Sequence, residues 1–221
     1  EVGARLAEME ERVLPLADFV CDFVAPSCAA FAARGGPLLC GVARAHDAPG
    51  HAVGYLAQHN LVDQLPELAR DFTVPRFCSH RGNVPSKVSV WFGTESTVTL
   101  LHYDSYSNLL VQVAGLKYVV LFPSAESAHL YVHSGGEERM LGQGNTSAVD
   151  VGHPDMLAHP KYADAKGFAV FLRPGDALHI PRGMWHYVRS LSPSLSINFW
   201  YTCAEDAEAE AQADAAQAHA R

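Results

Sequence analysis

The sequence predicts a mainly β fold, a jelly roll or closed barrel, preceded by helical elements at the N-terminus. From residue 88 onward, short segments rich in β-branched, aromatic and apolar residues alternate with turns that contain Gly, Pro or Asp. Residues 4–23 instead carry apolar side chains three and four positions apart, which is the spacing of an amphipathic helix. With 221 residues and 48% hydrophobic content, the chain is long enough for one substantial core, so a single domain is expected.

The elements follow in chain order. The helix over residues 4–23 is expected to be interrupted near Pro15, because proline disturbs a helix interior. Residues 35–37 and 47–50, rich in Gly and Pro, mark the end of this helical region. A short strand over residues 54–58 then leads to a turn over residues 61–68.

Eight further strands are predicted, and eight short strands are typical of a jelly roll or barrel. They cover residues 88–92, 97–103, 108–114, 117–122, 168–172, 177–180, 185–189 and 195–201. Residues 124–166 are too long for a hairpin loop, so they are expected to form an insertion that shapes a cleft. The chain therefore divides into an N-terminal helical support segment (1–53), a β core (54–203) and an acidic, Ala-rich tail (204–221).

The charge balance limits the possible partners. The formal net charge is −8, with 16 Lys and Arg against 24 Asp and Glu. Nucleic-acid binding needs clustered basic residues, so direct binding to nucleic acid is not expected. A basic protein or peptide is the electrostatically favoured partner.

The cysteines and the apolar runs bear on the cellular compartment. Five cysteines, odd in number and without a C-x-x-C pair, fit reduced thiols in an intracellular protein, with nucleus and cytoplasm both open. No run of about 18 apolar residues is evident, so no membrane span is expected, and no signal peptide is recognised. Because the chain begins at Glu1 rather than methionine, it is expected to be a fragment of a longer protein.

Two imidazoles and one carboxylate stand out as candidate metal ligands. In an extended strand, His102 and Asp104 point to the same face, about 6.5 Å apart. His186 follows His102 by 84 positions, so only closure of a sheet brings it to the same point. Two histidines and one carboxylate are the ligand set of non-haem Fe(II) oxygenases, which leaves three coordination positions free.

A less specific interpretation exists for this pattern. His-x-Asp is common by chance, and the chain contains 12 histidines, most of which are expected to be exposed or merely packed. The context favours the metal site, because a Pro-Gly-Asp turn at residues 174–176 and a short strand lead directly into Trp185 and His186.

Several longer motifs resemble the Jumonji-C (JmjC) family of Fe(II)- and 2-oxoglutarate-dependent oxygenases, most closely its arginyl-hydroxylase branch. They are YLAQHNLVDQLPEL at 55–68, WFG at 91–93, NLLVQVAGLKY at 108–118, NTSAVD at 145–150 and WHYVRS at 185–190. The resemblance covers roughly residues 54–201 and implies a double-stranded β-helix, the jelly-roll and cupin-like fold of that family. It also implies Fe(II), 2-oxoglutarate and O₂ as the reaction's cofactor and cosubstrates.

The same resemblance assigns roles to individual residues. His102, Asp104 and His186 match the iron ligands, and the residues matching the 2-oxoglutarate contacts are Tyr55, Thr99, Asn108 and Lys117. Lys117 lies across a predicted hairpin turn from Asn108, so its amine is able to reach into the barrel and pair with the distal carboxylate of a dicarboxylic cosubstrate. The alternative interpretation is an ordinary lysine at the edge of a strand. Tyr55 and Thr99 offer hydroxyl donors, or they serve as ordinary sheet residues. Trp91 and Trp200 are expected to be core aromatics.

The substrate is less well specified by the sequence. Glu1 matches a substrate-facing acid of the arginyl hydroxylases. Two positions depart from that branch: Glu11 falls where the branch has an aromatic residue, and Ser105 stands where a proline often follows the metal-binding Asp. The preferred function is hydroxylation of an arginine or another basic residue in a protein. The alternatives are demethylation of histone lysine and a non-catalytic cupin-like binding module.

Overall fold

The structure is a computed structural model that describes residues 13–34, 53–133 and 144–204. An N-terminal helical segment comprises α1 (Leu16–Phe19), a π turn (Val20–Val24) and α2 (Ala25–Ala33). The π turn directly precedes Pro26, which has no N–H to donate to the carbonyl four residues earlier, and the Ala25 N–H bonds to Val20 O instead. The prediction of a helix over residues 4–23 was therefore wrong at its C-terminal end, since the alanine-rich stretch continues the helix to Ala33. Residues 4–12 lie outside the described residues.

The segment Leu16–Ala33 also corrects the expectation about apolar runs. Within the described part of the chain, it is the one helix long and apolar enough to cross a membrane by length and composition. This is weak evidence for a span, because a core helix and a signal sequence near the N-terminus pass the same test. One face of the segment buries Phe19, Val24 and Cys28 beside Leu56 and Phe92 of the first two strands.

Nine strands follow among the described residues, and all of them pair antiparallel. Their bounds are β1 (Tyr55–His59), β2 (Val84–Gly93), β3 (Val98–His102), β4 (Ser107–Ala114), β5 (Lys117–Phe122), β6 (Phe168–Leu172), β7 (Ala177–Ile180), β8 (Trp185–Ser190) and β9 (Ser194–Thr202). They form a five-stranded sheet in the order β1-β2-β9-β4-β7 and a four-stranded sheet in the order β3-β8-β5-β6. A short helix α3 (Leu61–Gln64) and the 3₁₀ helices Pro66–Arg70 and Arg76–Ser79 connect β1 to β2. The jelly-roll prediction is confirmed.

The space between the two sheets is apolar at one end. It is filled by side chains from strands of both sheets, namely Leu110, Val119, Leu121, Leu172, Ile180 and Val188. Because β-strand side chains alternate, Val120 and Phe122 of β5 face outward into a second cluster. That cluster includes Leu130 from the connection after β5, so the four-stranded sheet is covered on both faces.

The connection between β5 and β6 packs beside the end of β3. It contains the 3₁₀ helices Ser124–His129 and Pro160–Asp164, and the Trp185 Nε1–H donates to Ser127 Oγ at 2.9 Å. Thr146 forms an isolated β bridge with His102, and the Tyr103 N–H donates to Asn145 O at 3.0 Å. This connection therefore fixes the chain where the candidate metal ligands lie.

The turns follow the expected chemistry. Gly115, between β4 and β5, has a φ of +80°, and an added Cβ there would lie 2.0 Å from Pro193 O. The Pro-Gly-Asp turn before β7 is closed by the Asp176 N–H bonding to Arg173 O at 2.9 Å. No disulfide joins the four cysteines among the described residues, which are Cys21, Cys28, Cys78 and Cys203.

Candidate metal centre

The structure brings His102, Asp104 and His186 together. His102 is the last residue of β3 and lies directly opposite His186 in the β3–β8 ladder. Asp104 lies two residues beyond the end of β3, so strand alternation is not what orients it. Its backbone is held by the Gly183 N–H, which donates to Asp104 O at 3.0 Å. Among the described residues, these three form the only cluster of His, Cys, Asp or Glu side chains able to hold a metal.

A β-bulge is required for this arrangement. Thr99 pairs with Val188 and His102 pairs with His186, so three residues of β3 match two of β8. Without the extra residue, Thr99 and His102 would face opposite sides of the sheet. With it, both point into the space between the sheets, and Leu101 packs outside, fully buried.

The three side chains have the geometry of a ligand set. Their ligating atoms all lie within 4.8 Å of one another. His102 Nε2 is 3.8 Å from Asp104 Oδ1, and His186 Nε2 is 3.8 Å from Asp104 Oδ2. The separations are too long for hydrogen bonds and leave room for a shared ion.

The protonation of the two imidazoles suits metal binding. His102 Nδ1 lies 2.8 Å from Leu100 O and His186 Nδ1 lies 3.0 Å from Met184 O, so each Nδ1 carries the proton and each Nε2 lone pair is free. Burial, followed by the neighbouring His102, lowers the pKa of His186 to about 3. His186 is therefore neutral at physiological pH, the form that binds a metal.

A buried amine lies in the same interior. Lys117, at the start of β5, is 2% exposed, and burial lowers its pKa to about 7. Within the described part of the chain, no carboxylate forms an ion pair with it. Its Nζ lies 6.0 Å from the centre of the Tyr55 ring. An unpaired buried amine has a free-energy cost that an anionic ligand would offset.

Hydroxyl and amide groups share the interior with this amine. Tyr55 Oη lies 3.2 Å from Thr99 Oγ1, and burial raises the pKa of Tyr55 to about 12 despite that hydrogen bond. Asn108 is 1% exposed, and its Oδ1 has no hydrogen-bond partner among the described residues. These four side chains, with the metal ligands, line one polar end of the interior.

Sequence reasoning missed further polar groups on the same face. Ser89 and Asn198 are directly opposite each other on β2 and β9, and Asn198 pairs with the inward-facing Leu110 of β4. Ser89 Oγ, Asn198 Oδ1 and the Nε1 of Trp91 are buried without a hydrogen-bond partner within the described residues. The signal was present in β9, where Ser194, Ser196 and Asn198 alternate with apolar residues and face inward rather than outward.

Trp200 also differs from its predicted role. It is 6% exposed, as a core aromatic should be, but its Nε1–H donates to Asp104 Oδ2 at 3.1 Å.

A cleft of about 520 Å³ opens between β2 and residues 60–74, and Lys87 belongs to its lining. Glu1 and Glu11 lie outside the described residues, and Ser105 is exposed.

The residues present fit the cofactor and cosubstrate expected of such a site. Two imidazoles and one carboxylate are a ligand set that suits Fe(II), and one carboxylate would leave the centre with a net positive charge. The unpaired Lys117 amine lies in the same interior and is able to donate to a carboxylate of a dicarboxylic cosubstrate.

The fold and the site together define a jelly-roll protein with a non-haem metal triad. The family model described as a cupin-like domain matches residues 20–207. The chain is 41% identical over 152 residues to lysine-specific demethylase 8 of Danio rerio, covering 68% of this chain and 36% of the relative. It is 38% identical over 155 residues to Jumonji C domain-containing protein 5 of Drosophila melanogaster, covering 69% and 37%.

A more distant relative is named as a hydroxylase. The chain is 27% identical over 159 residues to the human bifunctional peptidase and (3S)-lysyl hydroxylase JMJD7, covering 64% of this chain and 50% of the relative. The chain thus belongs to the cupin-like JmjC domain family, whose enzymes use Fe(II), 2-oxoglutarate and O₂. The chain spans about a third of the length of the Danio rerio and Drosophila melanogaster relatives.

Proposed function

We propose that this chain is an Fe(II)- and 2-oxoglutarate-dependent dioxygenase that hydroxylates a protein side chain, with arginine or another basic residue as its target. The observation that carries the proposal is the triad of His102, Asp104 and His186, whose ligating atoms lie within 4.8 Å in the same interior as an unpaired buried amine. The catalytic core would comprise residues 54–203, with 1–53 as helical support and 204–221 as a tail.

Each side chain has a distinct task in this proposal. The Nε2 atoms of His102 and His186 and one oxygen of Asp104 hold Fe(II) on one face. Lys117 pairs with the distal carboxylate of 2-oxoglutarate, and the Tyr55 and Thr99 hydroxyls and the Asn108 amide orient that cosubstrate. When bound, iron and 2-oxoglutarate together supply the oxidising chemistry. The apolar cluster at the other end of the interior keeps water away from the cosubstrate.

A polypeptide substrate is supported by charge and by shape. The net charge of −8 favours a basic partner. Lys87 lines the cleft beside β2, its Nζ lies over the ring of Trp200, and Trp200 contacts Asp104. In this proposal the cleft holds the polypeptide. An intracellular location, nuclear or cytoplasmic, is part of the proposal, because an odd number of scattered cysteines is typical of reduced thiols.

Lysine demethylation is the second candidate, because the zebrafish relative carries lysine-specific demethylase in its name. Hydroxylation and demethylation share the same metal chemistry and differ in the product. Mass spectrometry of basic peptides separates them, since a hydroxylated product gains one oxygen and a demethylated product loses a methyl group from lysine.

The first test measures succinate formed from 2-oxoglutarate with Fe(II) and ascorbate. We expect turnover by the intact chain and loss of turnover in His102→Ala. His153→Ala is the matched control, because His153 has a side chain that is 67% exposed and lies outside the triad. Equal succinate formation by the intact chain and His102→Ala would remove the catalytic proposal and leave the binding module.

A further inference from the structure

The indole of Trp200 is held firmly against Asp104. Trp200 lies on β9, 96 residues from Asp104 in the chain, and its Nε1–H donates to Asp104 Oδ2 at 3.1 Å. In the five-stranded sheet its neighbours are Lys87 of β2 and Asn108 of β4. Lys87 Nζ lies 5.5 Å from the centre of the ring. The ring is thus confined by both neighbouring strands, and its N–H has a fixed direction.

The two oxygens of the Asp104 carboxylate are therefore not equivalent. Oδ2 accepts the indole hydrogen bond and lies 3.8 Å from His186 Nε2. Oδ1 lies 3.8 Å from His102 Nε2 and accepts no hydrogen bond within the described residues. A lone pair of Oδ2 is occupied by a donor, whereas Oδ1 is free to bind an ion.

We propose that Trp200 is a positioning residue that reserves Oδ2 of Asp104, so that the carboxylate presents Oδ1 alone to the metal. A carboxylate that binds through both oxygens occupies two coordination positions. With the two imidazoles, it would leave two positions instead of three on a six-coordinate ion. The proposed chemistry would need these open positions for 2-oxoglutarate and O₂. Trp200 would thus protect a coordination position without touching the metal.

This inference depends on the proposed metal centre, and the experiment distinguishes failure of the Trp200 role from failure of the metal centre itself. The probe is Co(II), added to the full chain without cosubstrate, because its visible absorption depends on coordination number and geometry. Calorimetry gives the affinity for Co(II), and thermal unfolding reports on the fold. If the unaltered chain and His102→Ala bind Co(II) equally, the metal centre itself is wrong.

The decisive variant is Trp200→Phe, which keeps an aromatic ring and removes the N–H. We expect the affinity for Co(II) to fall by about 10-fold to 100-fold, as is usual when a residue that orients a metal ligand is lost. We also expect a changed Co(II) spectrum. The matched control is Trp91→Phe, because Trp91 lies on the same inner face and its Nε1 has no partner among the described residues. This control should keep the affinity within about twofold and leave the spectrum unchanged.

A second substitution covers the case in which Trp200→Phe unfolds. Benzothienylalanine at position 200 replaces the indole nitrogen with sulfur and keeps the bicyclic shape, so only the donor is lost. The expected spectrum and affinity are those given for Trp200→Phe. A spectrum and an affinity that match those of the unaltered chain, in either folded variant, would overturn the role of Trp200.

Discussion

Replacing Lys117 with methionine should reveal the free-energy cost of its buried amine. Burial lowers the pKa of Lys117 to about 7 from an ordinary 10.5, a difference of roughly 3.5 units. At about 1.4 kcal/mol per unit, the cost reaches an upper bound of about 5 kcal/mol. Lys117→Met keeps an unbranched side chain of similar length in a site that is 2% exposed. We therefore expect the variant to have a larger free energy of unfolding than the parent at neutral pH.

The lowered pKa of Lys117 also predicts how the free energy of unfolding of the parent changes with pH. Between about pH 7 and pH 10.5 the unfolded chain holds a proton on Lys117 that the folded chain lacks, so the stability of the parent rises with pH in that window. Below about pH 7 both states hold the proton, and the contribution is flat. Urea unfolding of parent and variant at pH 6, 7, 8, 9 and 10 isolates the effect, because all other titrating groups are shared. Parallel stability curves would refute the reasoning.

Cosubstrate binding should reverse this shift in pKa. A dicarboxylate beside Lys117 favours its charged form, so the protein must take up a proton on binding. At pH 8 a group with a pKa of about 7 is roughly 90% neutral, which predicts uptake of about 0.9 proton. Calorimetry of 2-oxoglutarate binding in two buffers of different ionisation enthalpy measures this number directly. If the proton count does not differ between Lys117→Met and the parent, Lys117 does not contact the cosubstrate.

Three further variants test the fold and the site. Gly115→Ala should lower the free energy of unfolding by at least about 2 kcal/mol, because the added Cβ would lie 2.0 Å from Pro193 O. Its control is Gly175→Ala, also at positive φ but with nothing within 4 Å of the added Cβ, which should cost about 1 kcal/mol. Leu101→Ala should cost about 2–5 kcal/mol because Leu101 is fully buried in the outer cluster. Its control is Leu157→Ala, at a residue that is 96% exposed, which should stay within about 0.5 kcal/mol in the same urea titration. Tyr55→Phe removes the hydroxyl 3.2 Å from Thr99 Oγ1 and should weaken 2-oxoglutarate binding several-fold in calorimetry, while unchanged affinity would remove Tyr55 from the proposed cosubstrate site.

β5 was predictable because both of its faces are buried in apolar clusters. β5 carries apolar residues at successive positions, since Val119 and Leu121 face the interior and Val120 and Phe122 face the outer cluster. Such a run reads as a buried strand from the sequence alone. The N-terminal helix was predicted less well, because the alanines after Phe23 have no strong apolar period but have high helix propensity.

The convergence of His102 and His186 was predicted from closure of a sheet, but its local cause was not. The β-bulge between Thr99 and His102 arises from pairing with β8, a contact between segments far apart in the chain. Strand alternation alone would have put Thr99 and His102 on opposite faces. The orientation of Asp104 was likewise assigned to strand geometry, whereas Gly183 and the connection after β5 hold that part of the chain. Long-range pairing of this kind leaves no local pattern in the sequence.

The distribution of buried polar groups argues for a ligand on physical grounds. Inward-facing positions at one end of the interior carry apolar residues such as Leu110 and Val188, whereas neighbouring inward positions carry Ser89, Asn108, Lys117 and Asn198. Each unsatisfied buried polar atom costs about 1–3 kcal/mol. Leucine or valine would fill the same strand positions without that cost, as Leu110 does two residues from Asn108 and Val119 does two residues from Lys117. A sequence that keeps several such groups beside three metal-ligating side chains is less stable than the fold allows, and a bound cosubstrate that satisfies some of them would recover part of that free energy.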